Sequence, residues 1–240
     1  MRTQTHLSRP VNLRDLGGHR TPFGVVNPGL VYRTDDLSVA TPDFVDELAS
    51  RDVTHVIDLR SAEESAHTGR GPLARRRIAY HHLPLTAGPT PPPPPGPRQP
   101  EEMSADYQRM LNHAAVEVAT ALSVIATARG AVAFHCSAGK DRTGIVAAMV
   151  LSALAVSRAA IIADYARTEA AMPGVDRRMA PVHAAAGREP AVAHGLRAPA
   201  ETMALFLTAV TGAPGAMPKA LQRAGLEPAT LRRLRSRLLS

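Results

Sequence analysis

Apolar and polar positions run through this chain with two different periods. Val53-Thr54-His55-Val56-Ile57-Asp58-Leu59 is apolar and β-branched, as a buried strand requires. Residues 78–83 alternate as a second strand, Leu30-Val31-Tyr32 reads as a short one, and Ala131-Val132-Ala133-Phe134 as a buried one. Between them the apolar positions recur at helical spacing. Thr41-Pro42 offers an N-cap oxygen and a first-turn proline, and Phe44, Val45 and Leu48 make a stripe ending near Arg51. Residues 106–128 read as one long helix with Tyr107, Met110, Leu111, Val118, Leu122 and Ile125 on one face, ended by Gly130. A helix starting near Arg142 is apolar on nearly all sides over residues 145–154, which predicts a central position. Ser157 caps a further helix through Glu169, and residues 200–210 and 228–239 form two closing helices. Strands alternating with helices predict an α/β fold, with a small, mostly parallel sheet flanked by helices.

Two segments break the pattern. Residues 86–100 contain five consecutive prolines, Pro91 to Pro95, followed by Gly96-Pro97. Proline lacks an amide donor and fixes φ, so this stretch is expected as an exposed loop within one domain spanning residues 1–240. Residues 172–198 are rich in Pro, Gly, Ala and Arg and are expected to be irregular.

The chain is basic, with 28 Lys and Arg against 21 Asp and Glu, a net charge of +7. Only Lys140 and Lys219 are lysines. A basic surface suits anionic partners. Nucleic acid is excluded, because aromatics make up 3% and tryptophan is absent, leaving no base-stacking platform. The arginine clusters Arg75-Arg76-Arg77 and 232–237 read as a solvated face. No apolar stretch is long enough for a transmembrane helix, and the first residues lack the apolar core of a secretory signal. A single cysteine makes neither an internal disulfide nor a multi-cysteine zinc site. The expected setting is cytoplasmic, with signal-less secretion as the alternative, and no metal or other cofactor is expected.

The densest chemistry lies in Phe134-His135-Cys136-Ser137-Ala138-Gly139-Lys140-Asp141-Arg142-Thr143-Gly144. A cysteine is followed by five residues and an arginine, with a strand before and a helix after. Such a loop can turn successive backbone N–H groups of Ser137, Ala138, Gly139, Lys140, Asp141 and Arg142 toward three phosphate oxygens. The helix start adds partial positive charge, and Arg142 can close the ring with a bidentate fork. Cys136 then sits at the base, where the same field favours its thiolate. A nucleotide-binding P-loop does not fit, because Phe134 and Asp141 stand where a glycine and a hydroxyl are needed.

His135-Cys136 through Gly144 resembles the loop of the bacterial tyrosine-phosphatase family typified by the secreted mycobacterial protein tyrosine phosphatase B. Asn12 to Gly18, Pro28 to Thr34, Val56 to Ser61 followed by Glu63 or Glu64, and Ile162 to Tyr165 also resemble family segments. The resemblance implies a tyrosine- or dual-specificity-like phosphatase acting on phosphotyrosine, with phosphoserine, phosphothreonine and phosphoinositides as further substrates. It also implies that residues 172–198 contribute to a lid.

Cys136 is then the nucleophile and Arg142 the phosphate ligand. His135 orients the loop, and the Thr143 hydroxyl points toward the sulfur. Many tyrosine phosphatases carry their acid on a Trp-Pro-Asp loop, which a chain without tryptophan cannot have. Asp58, at the C-terminal end of a predicted parallel strand, is the first choice for general acid, and Asp141 the second. Lys140 resembles the loop lysine of a phosphoinositide 3-phosphatase and would take a second phosphate at the rim. A catalytically silent phosphate-binding module is the alternative, and an interaction protein using the proline run is a third reading.

Overall fold

The computed structural model describes residues 6–87, 96, 98–187, 197–212 and 216–240. The strands are β1 (Arg14–Asp15), β2 (Arg20–Thr21), β3 (Gly24–Val25), β4 (Val31–Thr34), β5 (Val53–Asp58), β6 (Ala79–His82) and β7 (Ala131–His135). Five form one sheet in the order β1-β4-β7-β5-β6, and β2 pairs with β3 alone. Within the five-stranded sheet only β1 is antiparallel; β4, β7, β5 and β6 run parallel. A mixed α/β architecture with a mostly parallel sheet follows, as the strand and helix periods require. In register, Thr34 and Asp58 both stand beside His135, so three strands end around the residue before Cys136.

The helices are α1 (Pro42–Ser50), α2 (Ala62–Thr68), α3 (Pro100–His113), α4 (Ala115–Thr127), α5 (Asp141–Ala153), α6 (Arg158–Ala166), α7 (Thr168–Ala185), α8 (Ala200–Val210), α9 (Lys219–Arg223) and α10 (Pro228–Leu238). Every residue of α5 from Arg142 to Ala153 is buried, which matches its apolar composition and its place at the centre. Thr41 precedes α1 without a side-chain capping bond. No single helix among the described residues is long and apolar enough to cross a membrane.

Several expectations depart from the sequence pattern, among them the Ser157 helix, which stops at Ala166 and leaves Glu169 in α7. The long helix is two, α3 and α4, bent by 77° around Ala114, because α3 packs on α8 while α4 packs on α10. Each half follows its own partner, and a straight helix could not serve both. The helix also starts earlier, at Pro100, where Gln99 and Glu102 form a reciprocal cap.

The segment expected to be irregular from residue 172 is helical through Ala185, despite Pro173 and Pro181. An interior proline removes one backbone bond and costs about 3 kcal/mol. Met172, Val175, Met179 and Val182 offset this by packing as one stripe around Val39. Arg178 pins the same helix, donating to Asp35 Oδ2 at 2.7 Å and to the Asp36 carbonyl at 2.6 Å. The rest of the lid expectation, residues 188–196, lies outside the described residues, as do most of the prolines of the 86–100 segment.

The second arginine cluster is not uniformly solvated. Arg235 donates to the Ala153 carbonyl at 2.8 Å and Arg237 to that of Ala128 at 2.9 Å, so two cations cap the C-terminal ends of α5 and α4. Arg232 and Arg233 are exposed.

Candidate active site

β7 ends at His135 and α5 begins at Asp141, so residues 136–140 are the whole connection. Its carbonyls are claimed from outside. The Asp36 amide donates to Ser137 O at 3.1 Å. Asn12 Nδ2 donates to Ala138 O at 3.1 Å and Gly139 O at 3.2 Å, and Arg33 Nη2 donates to Gly139 O at 2.9 Å. A trans peptide plane carries its N–H opposite its C=O. The N–H groups of Ala138, Gly139 and Lys140 therefore face away from these donors, and those of Ala138 and Gly139 have no protein acceptor among the described residues. Gly139 makes the bend at φ +67°, and a Cβ there would lie 2.6 Å from the Thr34 carbonyl.

The donors that hold the loop are themselves held by Asp164 of α6. It accepts from Arg14 Nε at 2.7 Å and Arg33 Nη1 at 2.6 Å, and Arg14 Nη1 donates to Asn12 Oδ1 at 2.6 Å. All four side chains are buried. Segments at residues 12–14, 33 and 164 thus converge on two loop carbonyls. One carboxylate between two guanidiniums ties the cluster together with charge-assisted hydrogen bonds.

Arg142, the second residue of α5, is held by Glu64 of α2. Its Nη1 meets Oε2 at 2.5 Å and its Nη2 meets Oε1 at 3.0 Å. Burial alone would raise the Glu64 pKa, but Arg142 and the Ser61 cap bring it down to about 2. The pair uses one N–H of each terminal nitrogen, leaving the edge that carries Nε–H and one Nη N–H for a bidentate contact to a phosphate. Glu64 is placed by a capping box in which Ser61 Oγ accepts from its amide and its carboxylate accepts from the Ser61 amide. The Ser61-x-x-Glu64 spacing is visible in the sequence as a capping box, but nothing in that spacing announces Arg142 as the partner of Glu64.

Asp58 stands where the strand-end rule put it, but its surroundings do not suit an acid. Its side chain is 0% exposed. Arg60 donates to both its oxygens, through Nη2 at 2.6 Å and Nε at 2.9 Å, and Tyr80 Oη donates at 2.5 Å. Burial works to raise its pKa, yet His135, Arg60 and Tyr80 drive it well below the carboxylate range. The Tyr80 hydroxyl, pushed up to about 12 by burial and by this charge, keeps its own proton. With both oxygens taken by Arg60 and Tyr80, this carboxylate offers no free lone pair toward a leaving group. Arg60 also donates to Asp36 Oδ2 at 3.0 Å and to the Gly69 carbonyl at 3.1 Å, so Asp58 anchors a bolt joining β5, α2 and the β4 end.

Asp141 is the opposite case. Its side chain is 38% exposed at the first position of α5. Lys140 Nζ lies 3.6 Å from its Oδ1 and donates to the Arg197 carbonyl at 3.2 Å. Lys140 is 6% exposed, so it sits against the protein rather than standing out at a rim.

Other expectations shift at atomic detail. His135 Nδ1 lies 3.2 Å from the Cys136 carbonyl and 3.4 Å from the Leu37 amide, so it contacts the backbone, not the sulfur. The Thr143 hydroxyl is buried without a hydrogen-bond partner among the described residues, Cys136 included. Cys136 is 2% exposed. Beside the loop a cleft of about 320 Å³ lies between α2 and α7, with Ser137 and Glu64 at one side and Met179 and Val182 on the other.

The sequence profile of the tyrosine phosphatase family matches residues 5–240, and the chain belongs to that family. Among curated proteins, a tyrosine-protein phosphatase of Nostoc commune is 34% identical over 136 residues, covering 56% of this chain and 46% of that protein. The triple specificity protein phosphatase PtpB of Mycobacterium tuberculosis is 29% identical over 197 residues, 70% of each chain. The match thus spans about half the length of the Nostoc protein and more of the mycobacterial one. Among solved structures, TpbA of P. aeruginosa is similar at 17% identity over 80% of this chain and 94% of that one, with a TM-score of 0.34.

Proposed function

We propose that the chain is a cysteine-dependent protein tyrosine phosphatase working as one phosphatase unit. The observation that carries this reading is the loop whose carbonyls are tied outward while Arg142 is fixed by Glu64. Inward amides and a rigid guanidinium are the groups that stabilise the equatorial oxygens of a phosphoryl group in transfer.

In the first step the Cys136 sulfur attacks phosphorus, the bond to the tyrosine oxygen breaks, and Asp141 gives that oxygen its proton. In the second, water attacks the cysteinyl phosphate, Asp141 takes the water proton, and the thiolate leaves. Asp141 takes this role over Asp58 because it is exposed at the loop edge while Asp58 is sealed in an ion pair. The same exposure favours an enzyme over a silent binding module, since a proton donor stands beside the loop. Phosphoserine, phosphothreonine and phosphoinositides are proposed as further substrates. The Lys140 ammonium would have to leave the Arg197 carbonyl to meet a second phosphate.

The test is turnover of a phosphotyrosine peptide, phosphoserine and phosphothreonine peptides and phosphoinositides by the wild type and Cys136→Ser. Turnover of the phosphotyrosine peptide by the wild type alone is expected. Binding without turnover by the wild type would instead identify a phosphate-binding module.

A further inference from the structure

We propose that Tyr107 is a positioning residue for the proton transfer, holding one oxygen of Asp141 so that the other carries the proton to the leaving group. This rests on Asp141 as the general acid. Tyr107 lies on α3, far from the loop in sequence, and is 1% exposed. Its hydroxyl donates to Asp141 Oδ1 at 2.5 Å, and the Tyr165 hydroxyl lies 2.7 Å from the Tyr107 oxygen.

A phenol has one proton to donate. Because a carboxylate can only accept, Tyr107 donates its one hydrogen bond to Asp141, and Tyr165 must then donate to Tyr107. The order Tyr165 to Tyr107 to Asp141 is therefore fixed. Burial and the Asp141 charge raise the Tyr107 pKa well above its ordinary value, so this donor stays protonated.

The rings cannot swing away. Tyr107 is met edge-on by Tyr165 at 6.1 Å and by Phe206 at 5.9 Å between centroids. Tyr165 approaches α5 where the helix carries Gly144, whose Cβ, if present, would lie 3.1 Å from the ring.

The result is an asymmetric carboxyl. Oδ1 is bonded by Tyr107 and faces Lys140 at 3.6 Å, while Oδ2 accepts no hydrogen bond among the described residues. A proton on Asp141 therefore sits on Oδ2, the oxygen left for the substrate. Without Tyr107 the carboxyl can rotate and share its proton between two oxygens, only one of which is aimed productively.

The test is a double-mutant cycle of Tyr107→Phe and Asp141→Asn, read with phenyl phosphate, which needs a proton on leaving, and dinitrophenyl phosphate, which does not. Tyr107→Phe is expected to lower kcat/KM on phenyl phosphate, which reports formation of the cysteinyl phosphate alone, by about tenfold, less than the roughly 10²–10⁴-fold that a general acid itself supplies. Its kcat/KM on dinitrophenyl phosphate should stay within about twofold, and no further loss should appear on the Asp141→Asn background. An equal loss on both substrates, or a loss that persists with Asp141→Asn, overturns the proposal. Where Tyr107→Phe does not fold, Tyr165→Phe removes only the upstream donor. It should show a smaller loss confined to phenyl phosphate, and a loss on both substrates overturns the proposal in the same way. If Asp141→Asn itself shows no leaving-group dependence, the acid assignment falls and takes Tyr107 with it. If Asp141→Asn shows it and Tyr107→Phe does not, only the Tyr107 role falls.

Discussion

Both oxygens of Glu64 are bonded by the two terminal nitrogens of Arg142, so a capping-box carboxylate on α2 aims the guanidinium at the head of α5. Glu64→Gln keeps the shape and removes the charge and one acceptor. It should lower kcat/KM for phosphotyrosine peptides by roughly tenfold, mostly through a weaker hold on phosphate, because the guanidinium is no longer fixed. Steady-state kinetics with inorganic phosphate as competitor check this. An unchanged inhibition constant for phosphate would separate Glu64 from the site.

The same pair sets an acid limit on stability. The Glu64 carboxyl has a pKa of about 2 when folded, against an ordinary 4.5. It binds protons less readily in the folded chain than in the unfolded one, so its contribution is complete above about pH 4.5 and is lost as pH falls toward 2. Urea unfolding between those limits should show a falling midpoint, and the fall should be shallower in Glu64→Gln.

Gly139 holds a positive φ with the Thr34 carbonyl against the place where a Cβ would go. Gly139→Ala should destabilise the fold by about 1–3 kcal/mol through backbone strain. It should also displace the amides of the loop and reduce turnover by about 100-fold. Calorimetry and kinetics on one preparation measure both. Normal activity with normal stability would show that the loop tolerates the side chain.

Asp58 and Asp141 are told apart by the kind of damage each variant does. Asp58→Asn leaves Arg60 buried with one charge partner fewer, which should destabilise the protein by about 3 kcal/mol. Any loss of rate should be the same for good and poor leaving groups. A leaving-group-dependent loss in Asp58→Asn at unchanged stability would return it to the acid role.

The architecture was readable where local chemistry and tertiary packing agree. The apolar run at Val53–Asp58 is β5, the all-apolar helix after Arg142 is the buried α5, and the closing helix at Ala200–Val210 has those bounds. It was not readable where packing outweighs propensity. No local signal at Ala114 announces a 77° bend, which comes from partners on α8 and α10. Pro173 and Pro181 argue for a break that the Met172, Val175 and Met179 stripe and the Arg178 anchor overrule.

At the site, the spacing of Cys136 and Arg142 was visible because it is contiguous. The groups that tie the loop down, Asn12, Arg14, Arg33 and Asp164, come from distant segments, with Arg14 and Asp164 150 residues apart, which only the fold brings together. Proximity to the strand ends pointed to Asp58; Arg60, two residues on, is an ion-pair partner already within reach in the sequence, while Tyr80 comes from β6 and only the fold brings it to the carboxylate.

The central claim is a covalent phosphoryl transfer through Cys136. Acid quenching of the enzyme during turnover of a phosphotyrosine substrate, followed by mass spectrometry of the peptide carrying Cys136, tests it directly. The expected result is one phosphoryl group on Cys136 in the wild type, accumulating in Asp141→Asn with an activated substrate because the second step slows. Cys136→Ser should show no turnover while still binding phosphate. Sustained hydrolysis by Cys136→Ser, or turnover with no phosphoryl group ever found on Cys136, would contradict the mechanism.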